Sequence, residues 1–164
     1  MSSSVTIRRA TREDLETIRE IIEKASEGRT RLDAATLAER LLEWAFFVAA
    51  TTKVMGVVRW QAGNFVACLK DLYVYPPRQR RRVGTPLLQR VEEEARALSC
   101  EVALLLAARQ PSWRAMKFYR ELGYGRARQE ALARDWREVL AEHQDADEIL
   151  LLKRLRETPV VVPV

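Results

Sequence analysis

One segment, residues 71–88 (DLYVYPPRQRRRVGTPLL), constrains the fold more than any other part of the chain. An apolar strand ends at two prolines, an arginine-rich loop follows, and Gly84 leads directly into an amphipathic helix. The first amides of a helix all point one way and carry partial positive charge, so they can bind a polyphosphate. The loop adds four arginines that would form charge-assisted hydrogen bonds: Arg78, Arg80, Arg81 and Arg82. The segment therefore predicts an anion-binding turn.

The basic charge of the chain is concentrated in this loop. The formal net charge is +5, and the four loop arginines carry four of those charges. Local positive charge favours a discrete anionic ligand over a broad nucleic-acid surface, and no aromatic residues are interleaved with the arginines. With 164 residues and 48% apolar content, the chain can bury one sizeable core. We therefore expect one domain over residues 1–155 and a C-terminal tail over residues 156–164.

The rest of the composition argues against secreted, membrane-spanning and metal-binding classes. The start, MSSSVTIRRA, lacks the apolar region of a signal sequence, and no apolar run approaches membrane-spanning length. Cys68 and Cys100 lie in apolar segments, where we expect reduced core residues. The single histidine, His143, lies in a polar segment typical of a solvated side chain, and no Cys/His cluster indicates a metal site. A soluble cytoplasmic protein is the expected class.

The first half of the chain alternates between strand and helix patterns. Residues 5–9 predict a strand, and Thr11 followed by acidic residues predicts the start of a helix that ends near Gly28. A second helix is predicted over residues 34–44. Short turns at residues 51–53 and 62–64 separate three apolar runs, which predicts an antiparallel meander of strands. Those strands cover residues 45–50, 54–61 and 65–74.

The second half begins with a helix predicted over residues 85–99. Its buried stripe is expected to be Leu87, Leu88, Val91, Ala95 and Leu98. Its solvated residues are expected to be Glu92, Glu93, Glu94 and Arg96. The continuous apolar run over residues 101–107 predicts a central strand that is covered on both faces.

The C-terminal third completes the alternation. A helix is predicted over residues 112–122 with Ser112 as its N-cap, followed by a strand that contains Tyr124. Residues 133–147 favour either a helix or a long loop, and the last strand is predicted over residues 148–155. The final PVVVPV is apolar but interrupted by prolines, so a disordered end and an edge strand both stay open.

This order of elements resembles the GCN5-related N-acetyltransferase (GNAT) superfamily over residues 5–155. The acetyl-CoA loop of that superfamily follows V-x-P-x-x-(Q/R)-x-x-G-x-(G/A), and the positions here are Val74, Pro76, Gln79, Arg82 and Gly84. A later signature, N-x-x-A-x-x-x-Y-x-x-x-G-(F/Y), is similar to Ser112, Ala115, Tyr119, Gly123 and Tyr124. The resemblance implies an α/β (α+β) fold with a mixed, mostly antiparallel central sheet of six or seven strands, flanked by about four helices.

Two residues depart from these signatures. Arg82 stands where the superfamily has a glycine whose backbone approaches the pyrophosphate closely. If Arg82 keeps an ordinary backbone conformation with its side chain turned outward, the amides of residues 81–85 can still reach phosphate oxygens. Ser112 stands where the superfamily has an asparagine that contacts the cofactor or ordered water. A hydroxyl can bond to the same partners over a shorter reach.

The resemblance implies an acetyl-CoA-dependent N-acetyltransferase, in which a primary amine attacks the thioester directly in a ternary complex without a metal. It assigns the pantetheine arm and the thioester oxygen to the backbone amides of Leu72, Tyr73 and Val74. The other cofactor-binding residues that it implies are Gln79, Arg80, Arg81, Arg82, Val83, Gly84, Thr85, Ser112 and Phe118. Tyr119 resembles the tyrosine that protonates the departing sulfur, and Asp71 is the candidate general base.

The acceptor is less constrained by the sequence than the cofactor. The strings KDLYVYP and FYRELGY most resemble the small-amine and diamine branch of the superfamily. Asp71 would then hold a cationic substrate, and Glu20, Glu23 and Glu27 are further candidates to line an amine site.

Several alternatives stay open. Asp71 could pair with Lys70 or a neighbouring loop, and Tyr119 could be a packed aromatic residue without a catalytic role. The acceptor could be a protein or peptide amine, and the chain could be a non-catalytic acyl-CoA sensor. No nucleic-acid or membrane partner is expected, and a homodimer stays open.

Overall fold

The computed structural model describes residues 4–108 and 111–156. Within them the chain forms seven strands and five α-helices. In chain order these are β1 (Thr6–Arg9), α1 (Leu15–Ala25), α2 (Ala34–Glu43), β2 (Ala45–Ala50), β3 (Val54–Gly63), β4 (Val66–Val74), α3 (Thr85–Ala97), β5 (Val102–Ala108), α4 (Trp113–Glu121), β6 (Gly125–Arg126), α5 (Arg134–His143) and β7 (Glu148–Arg154). The predicted α/β class is confirmed. The fifth helix, α5, occupies the segment that the sequence leaves open between a helix and a loop.

The seven strands form one mixed sheet in the order β1-β2-β3-β4-β5-β7-β6. β4 and β5 pair in parallel, and their register joins Val66–Leu69 to Val102–Leu105. The pairs β1/β2, β2/β3, β5/β7 and β6/β7 are antiparallel. Residues Val102 to Leu106 of β5 are all buried, as the continuous apolar run predicts for a central strand.

The described residues divide into two compact units. Residues 4–60 and 71–91 form the first unit, and residues 61–70, 92–108 and 111–156 form the second. The single domain over residues 1–155 stays a prediction, and the predicted tail lies outside the described residues from residue 157 onward. In the described part of the chain, no helix combines the length and the apolar character that a bilayer crossing requires.

The core of the first unit lies between two helices and two strands. Three isoleucines of α1, Ile18, Ile21 and Ile22, are buried because they repeat at the spacing of one helix face. They pack with Leu37 of α2 and with residues of β2 and β3: Phe46, Val48 and Val57. Phe46 and Val48 are two residues apart and therefore share one face of the sheet.

An ion pair fixes the connection from β1 into α1. Arg8 donates to both carboxylate oxygens of Asp14, at 2.7 and 2.8 Å. The backbone amide of Thr11 donates to the same carboxylate at 2.8 Å, as in a capping box. The hydrogen bond from Arg8 is the main reason that the pKa of Asp14 falls to about 2, and the Thr11 amide lowers it further. The acidic first turn that the sequence predicts is therefore anchored to β1.

A buried lysine organises part of the second unit. Lys70 is 4% exposed, and its Nζ donates to the His143 carbonyl at 2.8 Å and to Asp145 at 3.0 Å. Glu148 forms a third contact with Nζ at 3.0 Å. His143 is half-buried with its side chain 17% exposed, so the expectation of a solvated histidine is wrong. Its position in the last turn of α5, beside this network, accounts for the burial.

The predicted turn between β3 and β4 and the predicted burial of Leu98 both need correction. The turn between β3 and β4 is Asn64-Phe65, with φ of 51° and 64°, rather than residues 62–64. Positive φ at both residues is the signature of a two-residue hairpin turn, which a sequence rule does not expect at phenylalanine. Leu98 is 59% exposed instead of buried, because α3 ends at Ala97 and Leu98 lies beyond its last turn. Cys68 and Cys100 are buried thiols, as predicted.

Replacing Asp14 with asparagine tests the ion pair with Arg8. Because the folded pKa of Asp14 is lowered from 3.8 to about 2, its stabilising contribution is present above about pH 4 and disappears as the pH falls through about 2. We expect Asp14→Asn to lower the free energy of unfolding by about 1–2 kcal/mol at pH 7. The difference from the unmodified chain should shrink as the pH falls below about 4 and should vanish only below about pH 2. Urea titrations across this range measure it, with Glu13→Gln on the same exposed turn as control; a pH-independent difference would contradict the assignment.

Candidate active site

The backbone conformation and the burial of strand β4 both change at Asp71. Asp71 has φ of 54°, a left-handed conformation that costs a non-glycine residue roughly 1–3 kcal/mol and is concentrated at functional sites. Val66 to Lys70 are buried, whereas Asp71, Leu72 and Tyr73 are half-buried. Leu69 is also the last β4 residue in the parallel register with β5. The segment Leu72–Val74, to which the resemblance assigns the thioester, therefore directly follows a strained break in a regular strand.

Two arginines hold the carboxylate of Asp71. Arg59 of β3 donates from Nε to Oδ2 at 2.5 Å, and the side chain of Arg59 is only 7% exposed. Arg40 of α2 contacts the same oxygen from its NH1 atom at 3.5 Å and is 31% exposed. The indole of Trp44 lies against the Arg59 guanidinium, with 4.4 Å between the guanidinium carbon and the ring centroid. Asp71 is thus engaged by cations of its own unit, whereas Lys70 contacts Asp145 and Glu148.

Arg59 and Arg40 are residues that the sequence reasoning missed. A local signal existed for Arg59, since it is the charged residue within the apolar run Val57-Val58-Arg59-Trp60, and these four residues are all buried. A charged residue that a strand buries needs a counter-charge, which is Asp71 here. No comparable signal marks Arg40, because a helical arginine is most often solvated.

The predicted anion-binding turn is helical almost throughout. A 3₁₀ turn covers Pro77–Gln79, a π-helical turn covers Arg80–Gly84, and α3 continues directly from Thr85. The Gln79 amide donates to the Pro76 carbonyl at 2.9 Å, and the Arg80 amide donates to the Pro77 carbonyl. The wider π turn carries the chain into α3, so the N-terminal end of this continuous helical segment lies at Pro77.

This geometry explains how Arg82 replaces a glycine. Arg82 lies within the π-helical turn, and helical backbone angles are open to any L-residue except proline. Its side chain is exposed, as is that of Arg81, while Gln79 and Arg80 are half-buried. Val83 is 1% exposed. The outward arrangement considered for Arg82 from the sequence is therefore the one that the structure has.

A glycine of β3 seats this turn against the sheet. A Cβ atom on Gly56 would lie 2.6 Å from Cγ1 of Val83 and 3.0 Å from Cδ1 of Leu87. The carbonyl oxygen of Tyr73 would lie 3.4 Å away. Only the absence of a side chain at Gly56 allows this close approach. β3 therefore positions the turn through the close approach of Gly56 to Val83, which no local sequence pattern predicts.

The later signature lies in the second unit, on and after α4. Ser112 caps α4, because its Oγ accepts from the Ala115 amide at 3.1 Å. A serine hydroxyl in that role keeps its own proton to donate to another acceptor. Phe118 and Tyr119 are both buried, at 3% and 7% exposure, and their ring centroids are 5.4 Å apart. Phe118 and Tyr119 are thus both packed in the core of the second unit.

A buried carboxylate in the second unit corrects another expectation. Glu92 of α3 was expected to be solvated but is 3% exposed. Its Oε1 accepts from Lys153 at 2.6 Å, and its Oε2 accepts from the Tyr124 hydroxyl at 3.0 Å. Burial first, and then the Glu92 charge, raise the pKa of Tyr124 well above its usual 10.0. Glu92 follows Leu88 by four positions, so helical spacing places it on the buried stripe.

The predicted site residues are divided between the two units. Asp71–Val74 and the loop residues from Gln79 to Thr85 belong to the first unit. Ser112, Phe118 and Tyr119 belong to the second unit. Glu20, Glu23 and Glu27 are exposed on or just after α1, and Glu23 contacts Arg31 at 3.4 Å.

Comparisons with known proteins agree with this geometry. Residues 12–124 match the sequence model of the acetyltransferase (GNAT) family. Among solved structures, the chain is similar to the ribosomal-protein-S18-alanine N-acetyltransferase of Escherichia coli, with 19% identity, a TM-score of 0.72, and coverage of 98% of this chain and 99% of that chain. A comparison with curated protein sequences gives no significant match.

Two further similar structures contain a cofactor. PaiA N-acetyltransferase from Thermoplasma acidophilum, in complex with coenzyme A, has 18% identity and a TM-score of 0.70, over 92% of this chain and 99% of that chain. YncA, a putative acetyltransferase from Salmonella typhimurium with its cofactor acetyl-CoA, has 19% identity and a TM-score of 0.66, over 96% of this chain and 97% of that chain. At these identities the likeness shows a shared fold.

Adding a methyl group at Gly56 tests how the turn is seated. We expect Gly56→Ala to destabilise the fold by about 1–3 kcal/mol, because the new Cβ overlaps Val83. In a Val83→Ala background the cost should be smaller, since Cγ1 of Val83 is gone. Chemical denaturation measures both. The control is Gly63→Ala in the same strand, where a Cβ meets nothing within 4 Å; equal costs at the two glycines would refute this packing.

Proposed function

We propose that this chain, which belongs to the acetyltransferase (GNAT) family, transfers the acetyl group of acetyl-CoA to a primary amine. One observation carries the proposal beyond family membership. The strained strand segment Asp71–Val74 leads into a helix N-terminus that bears four arginines. The strained strand segment and the cationic turn therefore follow one another along the chain, in the same order as in the family signature. PaiA and YncA, which share the fold, are solved with coenzyme A and acetyl-CoA respectively.

The residues of the turn fit a pyrophosphate chemically. The helix dipole supplies partial positive charge at the N-terminal end of the Arg80–Gly84 turn and α3. Exposed arginine side chains can add charge-assisted hydrogen bonds to phosphate oxygens: Arg78, Arg81 and Arg82. We assign the pyrophosphate to Gln79, Arg80, Arg81, Arg82, Val83, Gly84 and Thr85. Val83 and Gly84 are buried and shape the turn from within.

Acetyl-CoA supplies an acetyl group activated as a thioester. In the proposed reaction the amine nitrogen forms a bond to the acetyl carbon, and the bond from that carbon to sulfur breaks. The backbone amides of Leu72, Tyr73 and Val74 are proposed to bind the pantetheine arm and to stabilise the negative charge that develops on the acetyl oxygen. Ser112 and Phe118 complete the proposed cofactor contacts.

Two protons must move in this reaction. The amine loses a proton when its nitrogen is acylated, and the departing thiolate gains one. We propose that the Tyr119 hydroxyl gives its proton to the thiolate. Asp71 stays the predicted acceptor of the amine proton, directly or through water, although its Oδ2 already accepts from Arg59.

The nature of the acceptor is a separate question. The strings KDLYVYP and FYRELGY support a small amine, and the diamine branch stays a prediction from those strings. The Escherichia coli relative is by its name an acetyltransferase for an alanine of a ribosomal protein, which keeps a peptide amine as the second candidate. A non-catalytic acyl-CoA sensor would bind the cofactor without turnover.

Acetyl-CoA binding has a direct thermal test. At a concentration about 100 times Kd, acetyl-CoA should stabilise the chain by about 2.7 kcal/mol, which corresponds to a rise in Tm of roughly 5–10 °C. Arg81→Glu combined with Arg82→Glu should remove most of this shift, because two carboxylates would repel the phosphates. Arg126→Glu combined with Arg128→Glu is the control, since it makes the same charge change at exposed sites in the second unit. A preserved shift in the loop variant, or none in the unmodified chain, would end the cofactor assignment.

Tyr119→Phe tests the proposed acid. We expect kcat to fall by about 10²-fold or more, while the acetyl-CoA thermal shift stays unchanged, because only proton transfer to the thiolate is lost. Release of free thiol measures turnover. Tyr75→Phe, at a tyrosine that is 41% exposed, provides the matched control. Unaltered kcat in Tyr119→Phe would remove this residue from the mechanism.

A further inference from the structure

The cluster of Arg40, Arg59 and Asp71 points to an anionic acceptor. We infer that the amine substrate carries a carboxylate close to its amino group, and that the guanidinium of Arg40, supported by Arg59, binds this carboxylate. The inference rests on the proposed amine acetyl transfer, and it names the substrate class for that reaction.

The first argument is the charge of the cluster. Two guanidinium groups face one carboxylate, so Arg40, Arg59 and Asp71 together carry one net positive charge. Arg59 is almost completely buried and takes Asp71 as its counter-charge, so the excess positive charge lies on Arg40, which is 31% exposed and makes only the long contact. One carboxylate on the substrate would match that single excess charge. A diamine would instead bring more positive charge to a site that already has an excess.

The second argument is the division of labour between the two arginines. Arg59 makes the short contact to Asp71 and lies against the Trp44 ring, so its position is fixed. Arg40 is 31% exposed and reaches Asp71 only at 3.5 Å, the limit of a hydrogen bond. A guanidinium has five N–H donors in a planar fork, which suits two-point binding of a carboxylate. Arg40 therefore combines a weak internal contact with solvent access.

The third argument is the position of the cluster along the chain. Asp71 directly precedes Leu72, Tyr73 and Val74, the residues proposed to hold the thioester. Its left-handed φ of 54° is a strain that the ion pairs hold in place. A carboxylate bound at Arg40 would therefore lie near the start of this segment. That placement suits an acceptor in which amine and carboxylate are a few bonds apart, such as an α-amino acid.

Two other arginines of the first unit contact other groups. Arg19 of α1 contacts Glu16 at 2.9 Å and donates to the Leu32 carbonyl, so its charge has a partner of its own. Glu23 contacts Arg31 at 3.4 Å. These contacts form separate pairs, whereas the Asp71 carboxylate contacts both Arg40 and Arg59.

Matched acceptor pairs provide the test. The full chain is assayed with acetyl-CoA by thiol release, using each of a series of L-amino acids and the corresponding amino-acid amides, which keep the amine and lose the negative charge. We expect kcat/KM for the preferred acid to exceed that of its amide by about tenfold or more, as for a charge-assisted contact. Putrescine and spermidine, tested in parallel, should be poor acceptors. Equal or better turnover of amides and polyamines would overturn the inference while leaving acetyl transfer intact.

Variants assign the preference to Arg40. Arg40→Gln should raise KM for the acid about tenfold or more and leave KM for the amide unchanged, and Arg40→Lys should recover part of the loss. Arg31→Gln is the matched control, because Arg31 is an exposed arginine of the same unit that contacts Glu23. A parallel rise in KM for acid and amide would show a structural role only and would overturn the inference.

A binding measurement separates this inference from the proposed function. If acetyl-CoA raises Tm but no amine is acetylated, the transfer activity fails. At least one acid of the L-amino-acid series should still raise Tm of the protein saturated with coenzyme A, and its amide should not. In that case absence of a shift with any acid would overturn the inference, and a shift that Arg40→Gln abolishes would support it.

Discussion

The ion pair between Arg59 and Asp71 is the interaction on which the arrangement of the first unit depends. It joins β3 to β4 through a buried guanidinium, and it does so where the β4 backbone takes a left-handed conformation. A strained backbone persists only where its surroundings fix it, and a buried ion pair provides such a constraint. The same pair draws Arg40 and Trp44 toward this segment. The backbone strain at Asp71, the local charge and the proposed acceptor site thus all involve this ion pair.

The order of helices and strands was predictable because it rests on local periodicity. The spacing of apolar residues in the sequence accounts for the burial of Ile18, Ile21 and Ile22 in α1 and of the apolar run in β5. The end of α3 was not predictable in the same way, since Leu98 continues the apolar spacing but lies past the last turn. Phe65 in a left-handed turn likewise goes against residue preference, so its conformation is set by the strands that it connects.

The candidate site shows the same division between local and distant causes. The arginine-rich turn is visible in the sequence because its residues are contiguous, and Arg82 is accommodated by a helical conformation that sequence spacing alone does not reveal. Glu92, Arg59 and Arg40 gain their roles from partners that are remote in sequence, which only the fold identifies. A buried charge is therefore a better guide to distant contacts than to local structure.

Lys70 and Asp71 are neighbours in sequence, yet their side chains contact partners in different units: Lys70 contacts Asp145 and Glu148, while Asp71 contacts Arg59. A slip of β4 by one residue in one direction would put Asp71 among the carboxylates of Asp145 and Glu148, and a slip in the other direction would put Lys70 beside the Arg59 guanidinium. Hydrophobic alternation could tolerate such a slip in a strand that is buried on both faces, because apolar residues occur at consecutive positions. The charges of Lys70 and Asp71 would make such a slip unfavourable, so these two residues favour the observed register of β4.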